Sequence, residues 1–236
     1  MKGASIKKVL ILVTILAVPG FLYYLLQDQG KNRYKPLPFY GPKQVSDTFH
    51  SVRGKQVPDT FYHKIRGFEF INQQGKNVSW ETYKDKVLVF GLFYTQSDDK
   101  QSVKAANKSM QTLGSAYAKN DMVNFVSMTI DPGYDKPEVL SVYADSLSAK
   151  PDKWNLLTGD STKLFRFVNE QLLIDAHYIY SRSKKNFSYS NYFILVDPQH
   201  RIRGYYEATN QEAMARLDDE IKVLIAEVLR NIKDGR

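Results

Sequence analysis

The sequence predicts an α/β domain in which a central mixed sheet carries helices on both faces. Two uncharged apolar runs, Val87 to Phe93 and Val123 to Ile130, have the composition of parallel strands buried on both faces. Each is followed by a segment whose apolar residues recur at helical spacing. A hairpin pattern at Tyr192 to Tyr206 and a final amphipathic helix complete the order. Strand–helix alternation followed by a hairpin is typical of a mixed sheet covered on both sides.

The entry to this domain is predicted to be a short hairpin. Phe68 to Ile71 alternates apolar and polar residues, Asn72 to Lys76 has turn composition, and Val78 to Trp80 returns. Glu81 to Asp85 then leads as a connector into the first buried strand.

The first buried strand ends in a polar turn, Thr95 to Asp99, which either Ser97 or Asp98 is expected to close as the cap of the next helix. The buried face of that helix is predicted to be Val103, Ala106, Met110, Leu113 and Tyr117. After the second buried strand come a turn at Asp131, a helix beginning at Pro137, a strand at Trp154 to Leu157, and a helix capped by Ser161.

The last part of the chain begins with an irregular segment. Ala176 to Asn191 is rich in tyrosine and basic residues and has no clear period, so a loop or an irregular hairpin is predicted. Tyr192 to Val196 and Ile202 to Tyr206 are predicted strands, and Gln211 to Ile232 a helix with one apolar face.

The N-terminal quarter is predicted to be an anchor and a spacer. The expected division is a cytoplasmic tail at 1–8, a transmembrane helix at 9–26, a spacer at 27–56 and the domain at 57–236. Val9 to Leu26 is apolar and uncharged over 18 residues, longer than the apolar part of most signal peptides. A retained anchor is favoured over a cleaved signal, and the domain is expected at the periplasmic face of the inner membrane.

Composition excludes several kinds of chemistry. The chain has no cysteine, so it has no disulfide, thiolate nucleophile, cysteine zinc site or iron–sulfur cluster. Its net charge of +8 is spread along the chain without a dense basic motif, so a basic surface is favoured over nucleic-acid binding. No glycine-rich phosphate loop or serine–histidine–acid arrangement is evident, and no enzymatic activity is predicted.

The order of these elements, together with several short sequence motifs, resembles that of the Sco/SenC family of thioredoxin-like proteins. The motifs are FEFINQQGK at Phe68 to Lys76, FVSMTIDP at Phe125 to Pro132, and FILVDP at Phe193 to Pro198. The resemblance implies a thioredoxin-like fold and a membrane-anchored protein that helps to mature the copper centre of cytochrome c oxidase.

The same resemblance locates the family's copper ligands, a CxxxC pair and a distal histidine. In this chain those positions fall on Ser97, Gln101 and Tyr189, the second less certainly because of two extra residues before Met110. Serine, glutamine and tyrosine do not form a soft copper site. No cofactor is therefore predicted, although copper is expected for the family.

Other residues could form a site. His177 with Asp175 is the candidate for a rebuilt metal site, while His50, His63 and His200 are expected at the surface. A group of tyrosine and basic residues has the composition favoured at protein interfaces. The alternative is an aromatic loop that packs on the sheet. The residues are Tyr94, Tyr178, Tyr180, Arg182, Lys184 and Lys185.

Three functions follow as hypotheses. The first is a non-catalytic binding or assembly factor whose contact surface is the mouth of the sheet, formed by Tyr94 to Lys100 and Ala176 to Asn191. The second is a copper chaperone that uses His177, Asp175 or ligands from a partner. The third is an enzyme with a repurposed crevice, which no positive feature supports.

Overall fold

A computed structural model describes residues 3–29, 36–52, 54–180 and 185–233. The first helix, α1, spans Gly3–Gln29, and Met1–Pro36 forms a compact unit separate from Leu37–Arg236. Among the helices within those described ranges, none combines the length and the apolar character needed to cross a membrane.

The second unit is built on a mixed sheet that has seven strands within the described residues. The strands are β3 (Glu69–Asn72), β4 (Asn77–Ser79), β5 (Val87–Phe93), β6 (Val123–Thr129), β7 (Trp154–Thr158), β10 (Tyr192–Val196) and β11 (Ile202–Glu207). Their order is β11-β10-β5-β6-β7-β3-β4. The three central strands β5, β6 and β7 are parallel, and the pairs at either side are antiparallel, which confirms the predicted mixed sheet.

Each face of the sheet carries its own apolar core. Alternate residues of β5 point to opposite faces, so Val87 and Val89 pack on one side while Leu88 and Phe90 pack on the other. The helices α2 (Lys100–Ala116), α3 (Pro137–Ser146) and α5 (Gln211–Lys233) contribute to the first core. The helix α4 (Ser161–Arg166), its π-helical continuation Phe167–Gln171 and the segment after it contribute to the second.

The helix caps differ from the predicted ones by one or two residues. Asp99, not Ser97 or Asp98, caps α2 by accepting a hydrogen bond from the Ser102 amide at 3.0 Å. Asp160, not Ser161, caps α4 by accepting from the Lys163 amide at 2.9 Å. In both cases the aspartate lies one residue before the helix, where its carboxylate reaches the exposed amides of the first turn.

The domain begins earlier than predicted, because part of the expected spacer is packed on it. A two-stranded hairpin, β1 (Lys43–Val52) with β2 (Lys55–Tyr62), stands apart from the main sheet. Before the hairpin, the Tyr40 amide donates to the Ile202 carbonyl at 3.0 Å. The predicted boundary at residue 57 therefore divides a strand.

A buried arginine fastens this early segment. Arg203 is 1% exposed, and its guanidinium donates to the Leu37 carbonyl at 2.6 Å and the Pro38 carbonyl at 3.2 Å. The same guanidinium pairs with Asp197 at 3.2 Å and Glu227 at 2.9 Å. Main-chain oxygens and two carboxylates thus satisfy one buried cation, as burial of a charge requires.

The irregular tyrosine-rich segment is a hairpin. β8 (Ala176–Tyr180) pairs with β9 (Lys185–Tyr189), with Ala176 opposite Tyr189 and Tyr178 opposite Phe187. Of the two predicted alternatives, a loop or an irregular hairpin, the structure agrees with the hairpin. Arg182 and Lys184 lie outside the described residues.

Candidate functional site

The candidate site is the mouth of the sheet, where β5 and β6 end side by side. The turn Thr95 to Asp99 follows β5, and the turn from Asp131 to Lys136 follows β6. In an open sheet with parallel strands, the carboxyl ends of the strands border the usual binding crevice.

A buried carboxylate joins these two turns. Asp135 is 0% exposed and accepts hydrogen bonds from the Thr95 amide at 3.2 Å and from the hydroxyls of Thr95 and Thr129. Burial raises the pKa of Asp135, and the hydrogen bonds from the two threonines act in the opposite direction. Asp135 therefore holds in place the turn that contains Ser97, the residue at the family's first copper-ligand position.

Asp135 was not predicted from the sequence, which indicated only a turn at Asp131. The Asp131 carbonyl accepts from the Asp135 amide at 2.9 Å, so the turn directs the second aspartate inward. The available signal was an aspartate two residues before Pro137, in the turn between a buried strand and a helix.

The first two ligand positions lie around the start of α2. Ser97 is 8% exposed in the turn, and Gln101 is exposed in the first helical turn. Residues four apart lie on one helix face, but Ser97 precedes the helix and is not part of that pattern. A neutral hydroxyl and a neutral amide are the donors that these positions offer.

The third ligand position, Tyr189, lies at the end of β9 beside the same turn. Its ring meets the Tyr94 ring edge-on, with 6.2 Å between the ring centroids. Burial raises the pKa of Tyr189 well above its ordinary value, and the nearby Tyr94, Tyr143 and Asp99 raise it further. The phenol therefore stays protonated at neutral pH, and it does not supply an anionic oxygen ligand.

The proposed replacement site at His177 lies on the other side of the hairpin. His177 pairs with Ser188 across the strands, one step from the Ala176–Tyr189 pair. Because successive side chains of a strand alternate between faces, His177 points away from Tyr189. Its Nδ1 is 3.6 Å from the Asp175 carboxylate, and both side chains are largely exposed. Throughout the described part of the chain, no group of three histidine or acidic side chains is arranged to hold a metal ion.

The remaining histidines have local roles. His50 Nδ1 is 2.6 Å from the Asp59 carboxylate in the first hairpin, and His63 Nε2 is 2.8 Å from the Gln171 carbonyl. His200 is not exposed as predicted: its ring is half-buried and stacks on Trp80 at 3.9 Å. Burial lowers the pKa of His200 below its ordinary value.

Two of the aromatic residues predicted at an interface, Tyr94 and Tyr178, pack against other aromatic side chains. Tyr94 is 5% exposed and packs against Phe187 at 5.1 Å between centroids. Tyr178 is half-buried against Phe165, and its hydroxyl bonds to that of Ser161. Tyr94 is therefore corrected from a contact residue to a packing residue, because its side chain fills the space between β5 and the hairpin. Tyr180 and Lys185 lie in β8 and β9.

The donor set at the mouth does not suit copper. The three ligand positions present a hydroxyl, an amide and a protonated phenol, whereas copper in either oxidation state favours thiolate and imidazole ligands. The residues present therefore do not fit the metal that the family resemblance implies.

Comparison with known proteins connects this architecture to one family. The family model described as SCO1/SenC matches residues 58–225. The SCO1 protein homolog of Bacillus subtilis (strain 168) is 32% identical over 108 residues, which are 46% of this chain and 55% of that relative. The matched region thus spans about half the length of that relative.

Solved structures share the fold. A SCO1/SenC family lipoprotein from Bacillus anthracis str. Ames gives a TM-score of 0.59 at 23% identity, covering 69% of this chain and 95% of that one. BsSco, described as a member of the Sco family of cytochrome c oxidase assembly proteins, gives 0.59 at 24% identity, with coverage of 69% and 93%. ScoI from Bradyrhizobium japonicum with copper bound gives 0.52 at 22% identity, with coverage of 64% and 96%. These similarities confirm the predicted thioredoxin-like, Sco-type fold.

Proposed function

This chain belongs to the SCO1/SenC family, and we propose that it acts as a non-catalytic binding factor in the assembly of cytochrome c oxidase. The role in assembly is inferred from the family, one of whose solved members is described as a cytochrome c oxidase assembly protein. The non-catalytic character is inferred from this chain's own residues.

One observation carries the proposal: the scaffold around the ligand positions is intact while the ligands are replaced. Asp135 joins the turns after β5 and β6, and the hairpin β8–β9 brings Tyr189 to the mouth. The three positions hold Ser97, Gln101 and Tyr189, which lack thiolate and imidazole groups. Retention of the surface without the metal donors supports binding rather than metal transfer as the function.

We further propose that the protein is anchored in the membrane through Val9 to Leu26 and that its domain is extracytoplasmic. The support is the uncharged apolar composition of that segment and the lysines at positions 7 and 8 before it. The proposed partner is a protein at the sheet mouth, and no part is assigned to nucleic acid.

The alternative function is copper delivery through His177 and Asp175. The observation in its favour is the proximity of the two side chains, whose Nδ1 and carboxylate oxygen are 3.6 Å apart at an accessible surface. Two donors of this kind do not complete a copper site, so this function needs further ligands from a partner.

The proposal is tested by crosslinking the tagged full chain in its own membranes, followed by affinity capture and identification of the captured proteins. The expected result is recovery of an oxidase subunit or of another assembly factor, equally from wild type and from His177→Ala. Capture of neither would contradict the assembly role. Dependence of capture on His177 and added copper would support the alternative instead.

A further inference from the structure

A basic groove runs along the outer side of α2, between that helix and α3. Its first part has a volume of about 550 Å³ and begins at Thr95 and Ser97, beside the sheet mouth. Its second part, of about 730 Å³, shares Lys108, Gln111 and Leu147 with the first and continues towards the start of β7. The two parts therefore adjoin each other at these three residues.

The charges that line the groove all have one sign. The lining side chains include Lys100, Lys104, Lys108, Lys150 and Lys153, and among the described lining residues there is no carboxylate. Lys153 donates to the Val123 carbonyl at 2.7 Å and so faces the protein. The other four lysines are exposed and provide the positive edge of the groove.

The spacing of the lysines on α2 has a cost to the helix. Lys100, Lys104 and Lys108 lie four residues apart on one face, where like charges repel each other. Lys100 also occupies the first turn of α2, where the helix dipole disfavours a cation. This pattern is unfavourable for the helix alone, and anionic groups from outside the chain would relieve it.

The floor of the groove is polar and fixed. Asn107 donates to the Tyr143 hydroxyl at 2.6 Å, and Gln111 donates to the Leu147 carbonyl at 2.9 Å. Both hydrogen bonds join α2 to α3 and so set the width of the groove. A preformed groove of this kind costs little reorganisation when a ligand binds.

The geometry points to an extended acidic peptide segment of a partner protein as the ligand of this groove; this inference rests on the proposed binding function and names the partner's chemistry. Lysines four residues apart are separated by about 6 Å along a helix axis. Alternate side chains of an extended peptide lie on one side and repeat at about 6.6 Å. Carboxylates at every second residue therefore match the lysines of α2 one for one.

The concave shape favours a peptide over a membrane. A planar lipid surface reaches the rim lysines but not the floor formed by Asn107 and Gln111, whereas an extended chain enters the groove and meets both. The groove also ends at Ser97, so a partner segment held there leads directly to the sheet mouth.

The test is fluorescence anisotropy with the full chain and a labelled peptide of four Glu-Ser repeats, in low-salt buffer. The control peptide has Gln-Ser repeats. The test variant is Lys104→Gln with Lys108→Gln. The matched control is Lys76→Gln with Lys84→Gln, which removes two exposed charges outside the groove and gives the same net charge. Circular dichroism verifies that both variants are folded.

The expected result is saturable binding of the Glu-Ser peptide and not of the Gln-Ser peptide, weakening as salt is added. The Lys104/Lys108 variant should bind about fivefold more weakly, as expected for the loss of two exposed charge pairs, and the control variant should match wild type. Equal weakening of peptide binding in both variants would contradict the inference that the groove is the binding site, because net charge alone would then explain binding.

Two further outcomes separate the explanations. If the Lys104/Lys108 variant loses binding to vesicles of phosphatidylcholine and phosphatidylserine but keeps peptide binding, the groove is a lipid contact and the inference is wrong. If the peptide binds as predicted but no oxidase protein is captured from membranes, the assembly role is wrong and the peptide-binding groove is still supported. If oxidase proteins are captured equally by wild type and by the Lys104/Lys108 variant, the assembly role is supported and the inference that the groove binds the partner is wrong.

Discussion

The Tyr189 ring lies edge-on to the Tyr94 ring, with 6.2 Å between their centroids, at the end of the central strand where the family resemblance locates a copper-binding histidine. The contact fills the mouth with two aromatic side chains. Burial raises the pKa of the Tyr189 phenol, so the three ligand positions hold neutral polar groups rather than soft anionic ones.

Restoring the ligands should restore copper binding, because the surrounding scaffold is retained. The triple variant Ser97→Cys, Gln101→Cys and Tyr189→His is expected to bind one Cu(I) per chain, measured by competition with a coloured chelator under reducing conditions. The matched control carries both cysteines with Tyr189→Phe and should bind more weakly. No difference between the two variants would show that Tyr189 does not occupy the ligand position.

Asp135 should stabilise the mouth through its hydrogen bonds more than through its charge. Asp135→Ala leaves the Thr95 amide and two hydroxyls without their acceptor and should lower the free energy of unfolding by about 2–3 kcal/mol. Asp135→Asn retains an acceptor oxygen and can donate to the Thr95 hydroxyl, so it should cost less than about 1 kcal/mol. Urea denaturation of both variants at neutral pH makes this comparison, and equal losses would contradict it.

Arg203 should be the residue that fastens the early segment to the domain. Arg203→Ala leaves the buried Asp197 with Arg201 as its only ion-pair partner among the described residues, and it removes the cation that pairs with the partly exposed Glu227. The expected loss of stability is about 3–5 kcal/mol. The Leu37 and Pro38 carbonyls also lose their donor, so proteinase K should cleave residues 36–42 faster.

Arg201→Ala provides the control for Arg203. Arg201 also pairs with Asp197, at 2.7 Å, and its guanidinium lies over the Phe39 ring at 4.5 Å. Its side chain is 22% exposed, and its described hydrogen bonds go to Asp197 and Gln199 rather than to the Leu37 and Pro38 carbonyls. It should cost less stability and leave the cleavage rate near that of wild type. Equal effects of the two substitutions would refute a specific role for Arg203.

His200 should make the domain less stable in mild acid. Its folded pKa lies below the unfolded value of 6.5, because burial against Trp80 disfavours the cation. The stability contributed by the neutral ring is therefore fully present above pH 6.5 and is lost as the pH falls through the folded pKa. Thermal unfolding of wild type and His200→Asn between neutral and mildly acidic pH measures the difference.

Asparagine is a suitable replacement for His200 because the position has a φ of 64°, which asparagine tolerates. The stability gap between wild type and His200→Asn should narrow as the pH falls below 6.5. A gap that is constant over this range would mean that His200 does not titrate differently on folding.

The sheet could be predicted from sequence because its strands have strong local patterns. Val87 to Phe93 and Val123 to Thr129 are buried at every position, so the first is a continuous apolar run and the second is mostly apolar and uncharged. The hairpin β1–β2 was missed because it is polar, contains Pro58, and has an irregular register between Val45 and Phe49. Such a ribbon has neither the alternation nor the apolar run on which strand prediction depends.

The resemblance gave positions for the candidate site, and the interactions around those positions could not be predicted from the sequence. The resemblance located Ser97 and Tyr189, and the structure brings their segments to one end of the sheet. Asp135 and Arg203 were missed because their partners are backbone groups or residues distant in sequence, which no periodicity reveals. The face on which His177 lies depends on the register of β8 with β9, and an aperiodic segment does not specify that register.

We infer that this SCO1/SenC protein has the scaffold of its family without the metal centre. The most direct test is a titration of the purified full chain with Cu(I), and separately with Cu(II), against chelators of known affinity. No stoichiometric copper binding at sub-micromolar affinity is expected, either for wild type or for His177→Ala. Binding of one copper ion per chain at sub-micromolar affinity would contradict it, and its loss in His177→Ala would establish the alternative function.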